Sequence, residues 1–132
     1  MKKYLAHGVL AGLLSALAAI IFQYIYQEAM FLDFSSVLNS GSIIGSCMLG
    51  CMLMAIGFWG IEKINKPKLK GWLNIIVIVL TFLSILGPLS MTLPLDVEFP
   101  EMFPGLAIPM HFFPALIFFG LDPFFNSKNS IK

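Results

Sequence analysis

The sequence predicts an all-α integral membrane protein, a four-helix bundle with the N- and C-termini in the cytoplasm. Of its 132 residues, 58% are hydrophobic and 11% are charged, and the mean hydropathy is +0.90. A chain of this composition has too little polar surface to cover a soluble core. Four apolar stretches approach the roughly 20 residues that a bilayer-spanning helix needs. We therefore expect one domain over residues 1–132, with spans at about 5–26, 41–61, 72–91 and 106–125.

The start of the chain and the loop between the second and third spans bear on the number of spans and on their direction. Residues 1–18 combine a basic start, an apolar run and small residues, a pattern that a secretory signal peptide shares. The apolar run continues to Tyr26, which favours a retained span. The second and third spans are joined by the short basic loop 62–71, so they should form an antiparallel pair.

The fourth span is the weakest of the four. Asp122 and Pro123 interrupt it, so its clean apolar part covers only residues 106–121. A helix this short requires the bilayer to thin locally or the helix to pack obliquely.

Prolines inside the spans should shape the bundle. Pro114 has no amide hydrogen, so the carbonyl of Met110 lacks its intrahelical partner and a kink is expected near Met110 and His111. In the third span Pro88 frees the carbonyl of Ser84 in the same way.

The distribution of charge predicts the orientation in the membrane. Lysines are retained on the cytoplasmic side, and with four spans all eight basic residues fall on one side. They are Lys2, Lys3, Lys63, Lys66, Lys68, Lys70, Lys128 and Lys132. The charged residues on the opposite side are all acidic, namely Glu28, Asp33, Asp96, Glu98 and Glu101. We expect a multi-pass protein of a bacterial inner (plasma) membrane, in contact with lipid and with no nucleic-acid partner.

The two loops on the acidic side differ in character. Residues 27–42 mix aromatic and aliphatic side chains with polar ones, which is typical of a short segment lying in the membrane interface. Residues 92–105 contain three prolines and three acidic residues, which predict an extended, ordered cover.

Small residues at helical spacing predict close helix packing. Gly8 and Gly12 form a stripe on the first span, and Gly41, Gly45 and Gly50 follow one another on the second. Small residues allow backbones to approach in lipid, where no hydrophobic force drives helices together. We expect the two stripes to face each other, although such a stripe also suits a contact between two copies of the chain.

The cysteines and histidines specify no cofactor. Cys47 and Cys51 lie one helical turn apart, a spacing that suits packing and is poor for a disulfide or a metal site. His7 and His111 should lie roughly 15 Å apart along the membrane normal, too far to ligate one haem iron.

His111 is the principal candidate for a functional residue. It stands in the phrase "PMHFFP" inside an apolar span. A structural interpretation is a neutral imidazole that donates a hydrogen bond to a neighbouring helix. A functional interpretation is an outward-facing polar pocket, since ionisable residues within membranes often serve function. Candidate ligand-binding companions at the same depth are Ser42, Ser46, Ser90 and Thr92, with Asp33 above them.

The second half of the chain resembles a group of small four-span bacterial membrane proteins known as a domain of unknown function. The phrases "SILGPLSMT" and "FPGLAIPMHFFPAL" carry the resemblance. The matching residues are Ser84, Leu86, Gly87, Pro88, Leu89, Thr92, Met110 and His111. The resemblance implies a four-helix membrane fold and supplies no activity.

Two classes of function stay open. The first is a non-enzymatic module that binds an apolar ligand or pairs with a larger membrane protein. A contact between two copies of the chain would be a form of assembly rather than a function. The second is a proton- or cation-coupled transporter or a membrane enzyme that uses a pocket around His111. No arginine occurs in the chain, so bidentate recognition of phosphate or carboxylate is excluded.

Overall fold

The computed structural model describes residues 1–126, which form five α-helices and one 3₁₀ turn and contain no β-strand. The helices are α1 (Lys2–Met30), α2 (Ser40–Ile64), α3 (Pro67–Ser84), α4 (Leu86–Ser90) and α5 (Phe103–Asn126), with the 3₁₀ turn at Pro100–Met102. Two of the lysines used to predict orientation, Lys128 and Lys132, lie outside the described residues.

Four segments are long and apolar enough to cross a membrane, which confirms the predicted all-α, four-span class. They are α1, α2, the α3–α4 pair, and α5 with its preceding turn. The observed helices extend beyond the predicted spans, because apolar runs mark the hydrocarbon core whereas helical hydrogen bonding continues into the interface. The first span, for example, runs from Lys2 to Met30.

Helix ends are set by local backbone chemistry. α1 stops where Phe31 adopts a left-handed conformation with φ 54°, and α2 stops in the same way at Asn65 with φ 55°. α2 begins at the cap residue Asn39, whose side-chain oxygen accepts a hydrogen bond from the Ser42 amide at 2.8 Å. These ends fix the connections to nine residues between α1 and α2 and two between α2 and α3.

α1 is the central helix of the bundle. It packs extensively on α2 and on α5, whereas α3 makes far fewer contacts with α2 and α5. Val77 is a buried side chain of α3, and most of the other α3 side chains whose burial is described are exposed. Most of the α3 surface is therefore not covered by the other helices of the described chain.

The small residues of α1 do contact α2, but the matching residues of α2 are not the predicted ones. A Cβ atom at Gly8 would lie 2.8 Å from Ala55 Cβ, and one at Gly12 would lie 3.1 Å from Met48 Cα. A Cβ atom at Gly45 would meet no atom within 4 Å. The pairing predicted for Gly45 is therefore wrong, because α1 packs instead against Met48, Cys51 and Ala55 of α2.

Gly41 and Gly50 also lie away from that interface. Near Gly41 a Cβ atom would meet only the side chain of Asn39, its own helix cap. At Gly50 it would lie 3.8 Å from Pro114 of α5, which makes Gly50 a residue of the α2–α5 contact.

The prolines of the third and fourth spans have different effects. The third span is interrupted at Ile85, between α3 and α4, one turn before Pro88. α5 contains Pro109, Pro114 and Pro123 and remains one helix through all of them, so the kink expected near His111 does not break it.

Ion pairs gather at one end of the bundle, here called the lysine end. Lys70 at the start of α3 lies 3.0 Å from Asp122 of α5, and Lys3 of α1 lies 4.0 Å from Glu62 of α2. The loops 31–39 and 91–99 mark the opposite, loop end. The start of α1, the α2–α3 connection and the end of α5 thus share one end.

The first loop at the loop end is anchored in the bundle. Phe34 is fully buried and packs edge-on against Phe103 with ring centroids 5.5 Å apart. Gln23 of α1 donates a hydrogen bond to the carbonyl of Leu38 at 2.8 Å. The loop therefore closes the core at this end, in addition to offering polar side chains to the interface.

Candidate binding cavity

A cavity of about 480 Å³ lies between α2, α3 and α5. Ligand sites in proteins typically measure about 300–1,000 Å³. Most lining side chains are aliphatic or methionine, and the lining contains no aspartate, glutamate, lysine or arginine. The cavity is therefore of ligand size and uncharged.

One face of α2 and small residues of α5 create this space. Cys47, Gly50 and Met54 recur at helical spacing along the α2 wall. On α5, Ala107 and Ala115 stand on the opposite wall, where their short side chains leave volume unfilled. Because α3 packs loosely on both helices, the gap is not closed from the third side.

His111 lines this cavity, which is mostly apolar, whereas the functional interpretation expected a polar pocket that faces outward. The side chain is half-buried, and its ring makes no hydrogen bond to the part of the chain that the structure describes. The bond to a neighbouring helix that the structural interpretation required is therefore absent among residues 1–126. Next to it, Phe112 contacts Phe82 of α3 edge-on, with centroids 5.4 Å apart.

Three hydroxyl groups share the cavity with His111. Ser46 donates to the Ser42 carbonyl at 2.7 Å, Thr81 to the Val77 carbonyl at 2.8 Å, and Ser84 to the Thr81 carbonyl at 2.6 Å. Each of these hydroxyl groups donates its hydrogen bond to a carbonyl of its own helix. Their oxygen lone pairs remain able to accept a hydrogen bond.

Of the five predicted companions of His111, only Ser46 lines the cavity. Ser42 lies exposed in the first turn of α2, Ser90 donates to the Gly87 carbonyl at 3.1 Å, and Thr92 is exposed beyond α4. In the third span the prediction by depth selected residues outside the cavity: the hydroxyl groups that line it with His111 lie before the break at Ile85, whereas Ser90 and Thr92 lie after it. The sequence interpretation missed Thr81 and Ser84. Ser84 directly precedes the break at Ile85, and Thr81 lies about one turn earlier.

Asp33 belongs to a different surface. It lies in a shallow depression with Glu28, Glu98 and Gln27 at the loop end. Hydrogen bonds from Ser35 hold the pKa of the Asp33 carboxyl below its usual value. Because Asp33 lines this depression, its carboxylate is not part of the cavity of His111.

The second histidine occupies a separate site at the lysine end. His7 is 1% exposed, and its Nε2 donates to the main-chain carbonyl of Phe118 at 2.9 Å. Its ring is sandwiched between Phe118 and Phe125, with centroids 4.1 and 4.7 Å away. The sequence contains a signal for this aromatic stack, because Phe118 and Phe125 are seven residues apart and so share one face of α5. His111 lies roughly 10 Å along α5 from this level.

The cysteines are free and buried, and only Cys47 lines the cavity. Cys51 lies deeper, with its sulfur 3.8 Å from Ser15 Oγ and 3.7 Å from the Pro114 carbonyl oxygen. Residues 1–126 contain no group of three histidine, cysteine, aspartate or glutamate side chains placed to hold a metal ion.

These features were compared with those of known proteins. The comparison found no matching protein family, no similar curated protein and no similar solved structure.

Proposed function

We propose that this protein is a membrane-embedded binding module that takes a small apolar molecule from the bilayer into the cavity between α2, α3 and α5. The observation that carries the proposal is the cavity itself, about 480 Å³ of space with an uncharged and mostly apolar lining. Filling such a space restores the dispersion contacts that its walls lack. A molecule already dissolved in the bilayer enters it without a change from water to hydrocarbon.

The loose packing of α3 supports entry from the side. α1, α2 and α5 form the well-packed part of the bundle, and α3 contacts it weakly. Local opening draws on regions with few buried contacts. Movement of α3 away from α2 and α5 would connect the cavity directly with the hydrocarbon core.

The proton- or cation-coupled alternative receives no support from the lining. Such a mechanism needs a carboxylate or another ionisable partner close to His111. The acidic candidates Asp33 and Glu98 instead line the depression at the loop end. We place the module in a bacterial inner membrane with its lysine end in the cytoplasm, because basic residues are retained there.

Photoaffinity labelling of the purified protein in liposomes tests the proposal. The probe is a C15 alkane with a mid-chain diazirine, and the measured quantity is the labelling that an excess of unlabelled pentadecane removes. We expect this saturable labelling on peptides that contain Leu53, Ala107 or Ala115 of the lining.

Two leucine substitutions on α2 form a matched pair. Gly50→Leu places a large side chain in the cavity and should abolish most of the saturable labelling. Gly45→Leu adds the same volume at a position where a Cβ atom would have no neighbour within 4 Å, and it should leave the labelling unchanged. Equal saturable labelling of the two variants would contradict the proposed function.

A further inference from the structure

The polar groups of the cavity differ in whether they can still donate a hydrogen bond. The hydroxyls of Ser46, Thr81 and Ser84 use their protons within their own helices and can only accept. The neutral imidazole of His111 has one N–H donor and one acceptor nitrogen, and neither is bonded to another described residue. The cavity thus combines one free donor with several free acceptors in an apolar wall.

From this arrangement we propose that the bound molecule is a long-chain alcohol, whose single hydroxyl group is hydrogen-bonded by His111. The inference rests on the proposed function and specifies its ligand class. A hydroxyl group both donates and accepts, so it can receive the imidazole N–H and give its own proton to a lone pair of the lining. A bond of this kind removes the cost of leaving the imidazole unpaired in hydrocarbon.

The absence of charge along the lining favours a neutral head group. A phosphate, carboxylate or ammonium group would lose its hydration there without an opposite charge to compensate it. His111 also lies about 12 Å along α5 from the first residue of the helix, Phe103. A head group held by His111 is therefore below the interface where phospholipid head groups reside.

Pro114 leaves a further acceptor, the carbonyl of Met110, at the same level. It lacks the amide hydrogen that would bond the carbonyl of Met110, one residue before His111. Met110 and Pro114 both line the cavity. This proline keeps an unused carbonyl next to the free imidazole donor, which suits a hydroxyl group better than a pure acceptor.

The test uses the same liposomes with three C15 diazirine probes that carry a terminal hydroxyl, a terminal methyl ketone or no polar group. The measured quantity is the saturable labelling of the lining peptides by each probe relative to the alkane. One hydrogen bond in a membrane predicts a preference for the alcohol of about threefold or more. The ketone accepts but does not donate, so it should fall between the alcohol and the alkane.

His111 variants then assign the preference. In His111→Phe and His111→Leu the alcohol should label no better than the alkane, whereas His111→Gln, which keeps a donor and an acceptor, should retain part of the preference. Each variant is first checked for a monodisperse elution profile, and either apolar variant suffices. If the preference persists in the apolar variants, or if the ketone labels as well as the alcohol, the ligand assignment is wrong. That result is distinct from failure of the proposed function, which shows as equal alkane labelling of Gly50→Leu and Gly45→Leu.

Discussion

His7 of α1 donates a hydrogen bond from Nε2 to the main-chain carbonyl of Phe118 in α5, across 2.9 Å. A carbonyl only accepts, so Nε2 carries the proton. The ring also stacks between Phe118 and Phe125. One side chain thus fastens the start of the first helix to the end of the last, and does so in the interior where a hydrogen bond has no competing water.

Removal of this bond should destabilise the bundle. We expect His7→Phe to keep the aromatic stack and to lower the free energy of unfolding in detergent by about 1 kcal/mol, because the buried donor is lost. His7→Gln should recover part of the loss. Leu13→Phe, at an exposed position of the same helix, is the control and should have little effect. Identical unfolding curves for His7→Phe and the wild type would show that the bond contributes nothing.

The α1–α2 contact makes a second prediction. Gly12→Leu should destabilise the protein by about 1–3 kcal/mol, because even a Cβ atom there would lie 3.1 Å from the backbone of Met48. Gly45→Leu should change stability little, since the space beside Gly45 is empty. Thermal unfolding in the same detergent compares the two variants. A larger loss for Gly45→Leu would restore the helix pairing expected from the sequence.

The contrast between Gly12 and Gly45 shows where sequence reasoning stops in a membrane bundle. The number of spans follows from apolar length, since every backbone group in a bilayer must be bonded within its own helix. The rotation of each helix does not follow, because lipid and protein interior are equally apolar and both faces of a span can be hydrophobic. Small residues therefore indicate that a helix packs closely without indicating which neighbour it meets.

The same limit applies to the candidate site. His111 could be identified because an imidazole is rare in an apolar span, and its cost in hydrocarbon predicts an interior position. Ser46 lines the cavity, whereas Ser42, one turn earlier on the same helix, does not, although both residues are exposed. The aromatic stack on His7 could have been anticipated from the spacing of Phe118 and Phe125. Its hydrogen bond could not, because the acceptor is a main-chain carbonyl 111 residues away in sequence.

Orientation in the membrane gives a third prediction. In a background in which Cys47 and Cys51 are alanine, Glu98→Cys should react with a membrane-impermeant maleimide in intact cells. Lys68→Cys should react only after the membrane is permeabilised, because the lysine end is expected in the cytoplasm. Both positions are exposed, so access does not depend on unfolding. Labelling of position 68 in intact cells would invert the orientation.

The loop end is closed by a hydrogen bond that needs a glycine beside it. Tyr26 donates from its hydroxyl to the carbonyl of Met102 at 2.9 Å, and a Cβ atom at Gly105 would lie 2.5 Å from that hydroxyl oxygen. Gly105→Ala should therefore displace the tyrosine ring and cost about 1 kcal/mol or more.

A double-mutant cycle with Tyr26→Phe tests this relationship. Tyr26→Phe loses the hydrogen bond but also removes the oxygen that a methyl group at position 105 would strike. Gly105→Ala should consequently cost less in the Tyr26→Phe background than in the wild type, with a coupling of about 0.5–2 kcal/mol in the free energy of unfolding. Gly120→Ala, on the same helix with no atom within 4 Å, is the control and should be neutral or slightly stabilising. Strictly additive effects of the two changes would mean that Tyr26 and Gly105 do not share this contact.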